Sequence, residues 1–304
     1  MNTSTPIRIA NAPCSWGVLE FDLPGKALGY AQVLDEIRDT GYDGTEFGDW
    51  GFMPTEPSAL RRELDARKLA MVGAFVPVAF ADPGAHAAGA ELAVRTARLL
   101  AAVEGQAPFI VLADDNGKNV NRTKKAGRIS VADSLTDEQW RTFAQGVEFV
   151  ARAIRDQAGL RSVFHHHAAG FVETAEEVSK LLELTDPKLV GLCFDTGHLR
   201  FGGGDPLTAL RRHRDRILHV HFKDCSPTVH QSSRVEGWDY FESLKHGIFC
   251  ELGKGDVDFA TVTAELRRTN YQGWIVVEQD VLPGMGAPKE FARRNRDYLR
   301  RLGL

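Results

Sequence analysis

The chain has 304 residues, 43% of them apolar, and its 37 Lys and Arg against 41 Asp and Glu give a net charge of −4. This balance excludes a disordered, fibrous or disulfide-scaffold protein, and the slight acidity offers no general attraction to nucleic acid or to anionic lipid. The longest nearly unbroken apolar stretch, residues 73–81, is far short of the roughly 20 residues of a membrane helix, so no membrane partner is expected.

In chain order, the start MNTSTPIRIANAPC has no basic segment followed by an apolar one, so no secretory leader is expected and a cytoplasmic location is the default. From there, short β-branched and aromatic runs alternate with longer amphipathic segments along the whole sequence. Strands are predicted over residues 7–13, 44–48, 71–78, 109–114, 160–167, 190–195, 217–223 and 273–278. Helices are predicted over 30–39, 57–67, 87–103, 136–156, 174–184, 206–214, 259–269 and 288–302. Pro57 and Pro206 suit first helical turns, Asp205 can cap the helix it precedes, and Thr174 with Glu177 has capping-box spacing. The four cysteines, Cys14, Cys193, Cys225 and Cys250, form no CxxC pair and fit thiols in a reducing compartment.

Eight strand–helix pairs in 304 residues come to 38 residues per unit. That rhythm suits an α/β chain folded as one (β/α)8 barrel over residues 1–304. A doubly wound sheet is the competing topology, but no GxGxxG or Walker motif follows an early strand. Two connections break the rhythm: 115–135, carrying GKNVNRTKKAGR, and 225–256, carrying Trp238, Tyr240, Phe241 and Phe249. Each follows a strand and precedes a helix, which places it on the active-site face as lid or rim. A solvated tip, a subunit contact or a local mini-core would account for the same residues.

Polar residues crowd the ends of the last four strands. In VGLCFDTGH, alternation puts Gly191, Cys193 and Asp195 inward, with Leu192 and Phe194 against the helices. In ILHVHFKD, Leu218, Val220 and Phe222 face the helices, leaving His219, His221 and Lys223 inside. In GWIVVEQD, Val276 and Glu278 turn inward. The fifth strand reads in two phases, Val163, His165 and His167 inward or Ser162, Phe164 and His166; placing Phe164 against the helices favours the first. Imidazoles and carboxylates converging from four adjacent strands stay undersolvated unless a cation or a substrate sits among them. One divalent ion bound by Asp195, His221, Glu278 and a fifth-strand histidine is therefore expected, with Mn, Co, Fe, Mg and Zn left open.

The strings DTGH at 195–198, HVHFKD at 219–224, GKGDVDF at 253–259 and GWIVVEQD at 273–280 resemble the xylose-isomerase-like barrel superfamily of sugar isomerases, epimerases and dehydratases, over essentially the whole chain. NAPCSWGV at 11–18, GYDGTEFGDWGFMPT at 41–55 and HHHAAGFVET at 165–174 are most similar to inosose (2-keto-myo-inositol) dehydratases. The resemblance implies a divalent metal on a fifth-strand carboxylate, a sixth-strand Asp, a seventh-strand His and an eighth-strand Glu. The last three fall on Asp195, His221 and Glu278. The first departs from the pattern, its place taken by His165, which leaves the two-carboxylate acid/base pair of the epimerases incomplete. Apurinic endonucleases share HVHFKD, but the further Asp-x-His they need is missing between Asp224 and Phe259.

Such a site serves proton abstraction beside a carbonyl, followed by reprotonation, isomerisation or expulsion of a β-hydroxyl. Dehydration of inosose or a related keto-polyol is the leading expectation, a ketose 3-epimerase or sugar isomerase the alternative, and a non-catalytic sugar-binding barrel the third. Glu278 or a fifth-strand histidine is the expected base, and His167 or His198 the expected acid. Lys223 is assigned to the catalytic set, and Glu46, Trp16 and the deeper His219 to substrate. The partner is a small keto-polyol or sugar, and barrels of this kind commonly form homo-oligomers.

Overall fold

The computed structural model describes residues 7–19, 28–103 and 107–304. The first six residues, where a leader would begin, lie outside that set. Eight strands close a parallel barrel: β1 (Arg8–Asn11), β2 (Gly44–Glu46), β3 (Ala70–Pro77), β4 (Phe109–Ala113), β5 (Arg161–His165), β6 (Val190–Asp195), β7 (Ile217–Phe222) and β8 (Trp274–Val277). Each pairs with its sequence neighbours, and β8 closes the ring against β1 with Ala10 opposite Val276. All eight sit within the predicted runs or one residue from them, and the predicted helices surround them. Their ends follow local chemistry. Thr174 and Glu177 exchange the capping-box bonds of Ala175–Leu184, Asp205 accepts from the Thr208 N–H ahead of Pro206–His213, and Gly159 at φ 70° ends Asp137–Ala158 in the left-handed conformation. Among the described residues, no helix is long and apolar enough to cross a membrane.

The barrel is filled at its base by apolar side chains. Ala10, Val72 and Val276 form one cluster with Trp274; Val111, Val163 and Cys193 form another with Phe75, Phe109 and Leu218. Leu218 corrects the alternation expected for its strand. The β6–β7 register slips between Leu192 and Cys193, so that Leu192 faces Ile217 while Cys193 faces His219. The extra residue turns Leu218 inward. Gly191 makes the room, since a Cβ there would lie 2.3 Å from Leu218 Cδ1.

The two long connections are not bare loops. The first holds the helix Val120–Lys125; the second holds Pro227–Glu236, Tyr240–Lys245 and an antiparallel ribbon of Asp224–Cys225 with Phe249–Cys250. A short helix, Thr196–Phe201, also follows β6 directly. Together they enclose a second apolar cluster built on Ala126, Ala168, Phe201, Tyr240, Leu244 and Phe249. The aromatic stretch contributes to this cluster, and Phe249 packs edge-on against His198 and Tyr240 against His167. Trp238 instead stacks on His246.

Two buried charges tie this layer down. Arg122 forks onto both Glu177 oxygens at 2.8 Å and donates to the Gly170 carbonyl at 2.7 Å, joining the first connection to the loop after β5. Asp224 accepts four backbone N–H groups, from Cys225, Gly253, Gly255 and Val257.

Candidate functional site

At the C-terminal end of the barrel, His165, Asp195, His221 and Glu278 are all buried, with one donor atom of each within 4.8 Å of the others. Asp195 ends β6 and caps the helix behind it, so Oδ1 accepts the His198 N–H at 2.7 Å. Its Oδ2 has no hydrogen-bond partner among the described residues and lies 3.6 Å from His165 Nε2 and 3.9 Å from His221 Nδ1. Glu278 Oε1 lies 3.1 Å from His221 Nδ1. Among the described residues, neither ring nitrogen of His165 has a partner. Burial, reinforced by His221, pushes its pKa down to about 3, so the ring is neutral and carries a free lone pair at neutral pH. An unpaired carboxylate oxygen and an unpaired imidazole, both dry, are costly unless a ligand meets them. The mixed nitrogen and oxygen set fits a divalent cation.

Opposite the open side, Glu46 Oε1 accepts from His219 Nε2 at 2.7 Å and His221 Nε2 at 3.0 Å. This orients the His221 ring with Nδ1 toward Asp195 and Glu278. Glu46 also lines the cavity, with Oε1 taken up by the two imidazoles. Lys223 is the cationic hub beside them. Its ammonium donates to Asp280 Oδ1 at 3.0 Å and lies 3.0 Å from Glu278 Oε2 and 3.1 Å from His198 Nε2. Phe249 covers it, with the ring centroid 4.6 Å from Nζ. Burial alone would drive Lys223 toward neutrality, but Asp280 and Glu278 hold its pKa well above the ordinary value. Burial would raise Glu278 in turn, yet His221 and Lys223 hold it well below the carboxylate range.

These groups open into a cavity of about 540 Å³, counting its open mouth, whose lining includes Cys14, Phe75, His165, His167, Lys223, Glu278 and Asp280. Three sequence assignments change. Trp16 does not line the cavity: the turn Pro13–Trp16 sends Cys14 there and buries the indole in the core, where Nε1 donates to Glu36 Oε2 at 2.7 Å. His219 is fully buried beneath the site, between Glu46 and the Phe109 ring, and cannot touch a ligand in the mouth. His198 is also fully buried and outside the cavity lining, its ring centroid 3.8 Å from that of His167 and its Nε2 3.1 Å from Lys223 Nζ. His167 does line the cavity, but burial, with His165 and Lys223 nearby, keeps its pKa well below the usual range. His166 stacks parallel on His165 and accepts the Asp195 N–H at 3.2 Å. Asp280 and Cys14 were missed. Asp280 shares the inward parity of Val276 and Glu278, so extending the alternation by two residues would have found it; Cys14 has only its place just after β1.

The family model described as xylose isomerase-like TIM barrel matches residues 34–302. The chain is 34% identical to a protein of Geobacillus kaustophilus named inosose dehydratase, over 99% of this chain and 96% of that one. It is 31% identical to a Salmonella typhimurium protein of the same name, over 98% and 97% respectively. Among solved structures, the probable 3-DHS dehydratase AsbF of Bacillus anthracis superposes with a TM-score of 0.72 over 97% of this chain and 99% of its own, at 14% identity. That last likeness is one of fold.

Proposed function

Because the chain belongs to the xylose isomerase-like TIM barrel family, we propose that it is a hydro-lyase that uses one divalent metal ion to dehydrate inosose or a closely related keto-polyol. The observation that carries the reading is the ring of four buried donors, His165, Asp195, His221 and Glu278, with lone pairs on His165 and Asp195 left unpaired beside a substrate-sized cavity. The curated relatives, named inosose dehydratase and aligned over nearly the full chain, support the substrate class. The fifth-strand imidazole supports elimination over epimerisation, because it replaces one of the two carboxylates that an epimerase would alternate as acid and base.

An ion held by those four side chains would polarise the substrate carbonyl and its neighbouring hydroxyl. Everything else falls to the protein. Glu278, held ionised by His221 and Lys223, takes the proton from the carbon beside the carbonyl. Lys223 turns to the departing β-hydroxyl and gives it a proton, so that it leaves as water, and the proton taken by Glu278 returns to Lys223 across their 3.0 Å contact. Asp280 and His198 act on substrate through Lys223, by holding it charged and in place. His167, neutral at the cavity wall, accepts a hydrogen bond from a polyol hydroxyl. Phe75 on one side and the Tyr240–Phe249 cover on the other keep the pocket dry, which strengthens each of these contacts.

Incubating the purified protein with 2-keto-myo-inositol and Mn2+ or Co2+ tests the reading. Growth of a conjugated enedione-type absorbance is the expected result. Exchange of solvent deuterium into substrate without loss of water would replace dehydration by epimerisation, and inertness toward a panel of keto-sugars would favour a binding protein.

A further inference from the structure

One level below the proposed catalytic donors, a thiol that the mechanism leaves unused completes a second set with two of them. Cys193 precedes Asp195 by two residues on β6, so strand alternation turns its side chain to the same inner face, deeper in the barrel. Its Sγ, one ring nitrogen of His165 and one of His221 lie within 4.8 Å of one another, and all three residues are buried. With both His165 ring nitrogens unpartnered, a free lone pair serves this level as well as the one above. Val111, Val163 and the rings of Phe75 and Phe109 form an apolar surround.

The two levels differ in the cations they favour. The upper set offers two carboxylates with two imidazoles, suited to harder ions; the lower offers a thiol with two imidazoles, suited to softer ones. Zinc-type bonds of about 2.0–2.3 Å place tetrahedral donors roughly 3.5 Å apart, within the observed span.

We propose that His165, Cys193 and His221 form a deep site for a thiophilic divalent cation of the zinc class. As it binds, the S–H bond breaks, the proton leaves to solvent, and the sulfur electron pair forms the S–metal bond. Because His165 and His221 serve both levels, an ion in the deep site excludes one at the upper donors. A thiophilic ion therefore blocks the enzyme that a harder ion activates. The inference shares two side chains with the proposed catalytic centre, so its test must separate the two.

Cd2+ alone is the probe, added to the metal-free full-length protein. It should raise a near-ultraviolet thiolate–cadmium absorbance that saturates at one ion per chain and prevents Mn2+ uptake followed by electron paramagnetic resonance. C193S and C193A should lose the absorbance and weaken Cd2+ binding at least about tenfold, while each still takes up one Mn2+. C14S, which alters the thiol at the cavity wall, should keep the absorbance. A band that survives C193S, one that vanishes in C14S, or Cd2+ that binds without any thiolate band would overturn the proposal. D195A separates the two levels. Loss of Mn2+ uptake with the cadmium band retained supports both sites, whereas retention of both signals removes Asp195 from the upper site and leaves the deep one standing.

Discussion

Asp224→Asn is the most informative perturbation away from the metal donors, because it changes one atom at the point where the rim is tied to the barrel. Asp224 is fully buried and accepts from the Cys225 N–H at 2.9 Å and the Val257 N–H at 3.2 Å through Oδ1, and from Gly253 at 2.8 Å and Gly255 at 2.9 Å through Oδ2. An amide retains one accepting oxygen and turns an NH2 group toward the other two donors. Two hydrogen bonds to a charged acceptor, each worth about 1.5–3 kcal/mol, are lost. Because Gly253 and Gly255 lie partly in reach of water, some of this is recovered, leaving a cost of about 3 kcal/mol. At roughly 2–4 °C per kcal/mol, the melting temperature should fall by about 6–12 °C. Hydrogen exchange should localise the change to the amides of Gly253 and Gly255. The ribbon that begins at Asp224 also carries Phe249, the cover of Lys223, so KM should rise more than kcat falls. Gly255→Ala is the companion, since its Cβ would stand 2.2 Å from Asp224 Oδ1 and 2.3 Å from the Cys225 carbonyl oxygen. Unchanged melting and undiminished amide protection in D224N would refute the view that this carboxylate holds the rim.

Arg122→Met should strip the buried Glu177 carboxylate of its partner and cost about 3–5 kcal/mol in urea unfolding, with early exchange in the helix Val120–Lys125. Glu46→Gln should weaken Mn2+ binding about 10- to 100-fold without altering the fold, read by metal analysis after gel filtration, because Glu46 is the carboxylate that orients His221. Burial, only partly offset by the Phe171 N–H, raises the Asp114 pKa to about 6 from 3.8. The folded state then holds the proton more tightly, and stability falls as pH rises from about 4 to 6. Asp114→Asn keeps an acceptor for the Phe171 N–H, so urea unfolding should find it equal to wild type near pH 3.5 and up to about 3 kcal/mol more stable at pH 7.

Element positions and inward parity were legible because both depend on local rules. The period-two alternation of β6 and β8 names Asp195 and Glu278, and Pro57, Asp205 and Thr174 mark helix starts that a cap requires whatever the tertiary setting. The parity of β7 failed at Leu218 because register depends on the neighbouring strand, and only Gly191, distant in sequence, reveals the space that permits the bulge. Trp16 misled for a related reason. An aromatic just after β1 can turn either to the mouth or to the helices, and its indole N–H finds Glu36 only once the helix Tyr30–Asp39 is packed. HVHFKD and GKGDVDF were visible as separate motifs of the resemblance, but not what joins them, the Asp224 carboxylate gathering the backbone of the glycine-rich segment.

Net charge at the mouth bears on the proposed ion independently of donor geometry. Glu46, Asp195, Glu278 and Asp280 bring four carboxylates to one buried space, and Lys223 is the fixed cation placed among them. With neutral imidazoles, this leaves an excess of three negative charges in a region where each unpaired charge is expensive. Protonation of His221, which its flanking carboxylates favour, removes one. A dication removes two, and it does so at the Asp195 oxygen and the His165 lone pair, which no hydrogen bond satisfies among the described residues. Metal loading should therefore stabilise the fold as well as complete the site, and the gain should shrink in Asp195→Asn, where the excess is already one charge smaller. An equal rise in melting temperature with Mn2+ in both proteins would break the link between the buried charge and the ion.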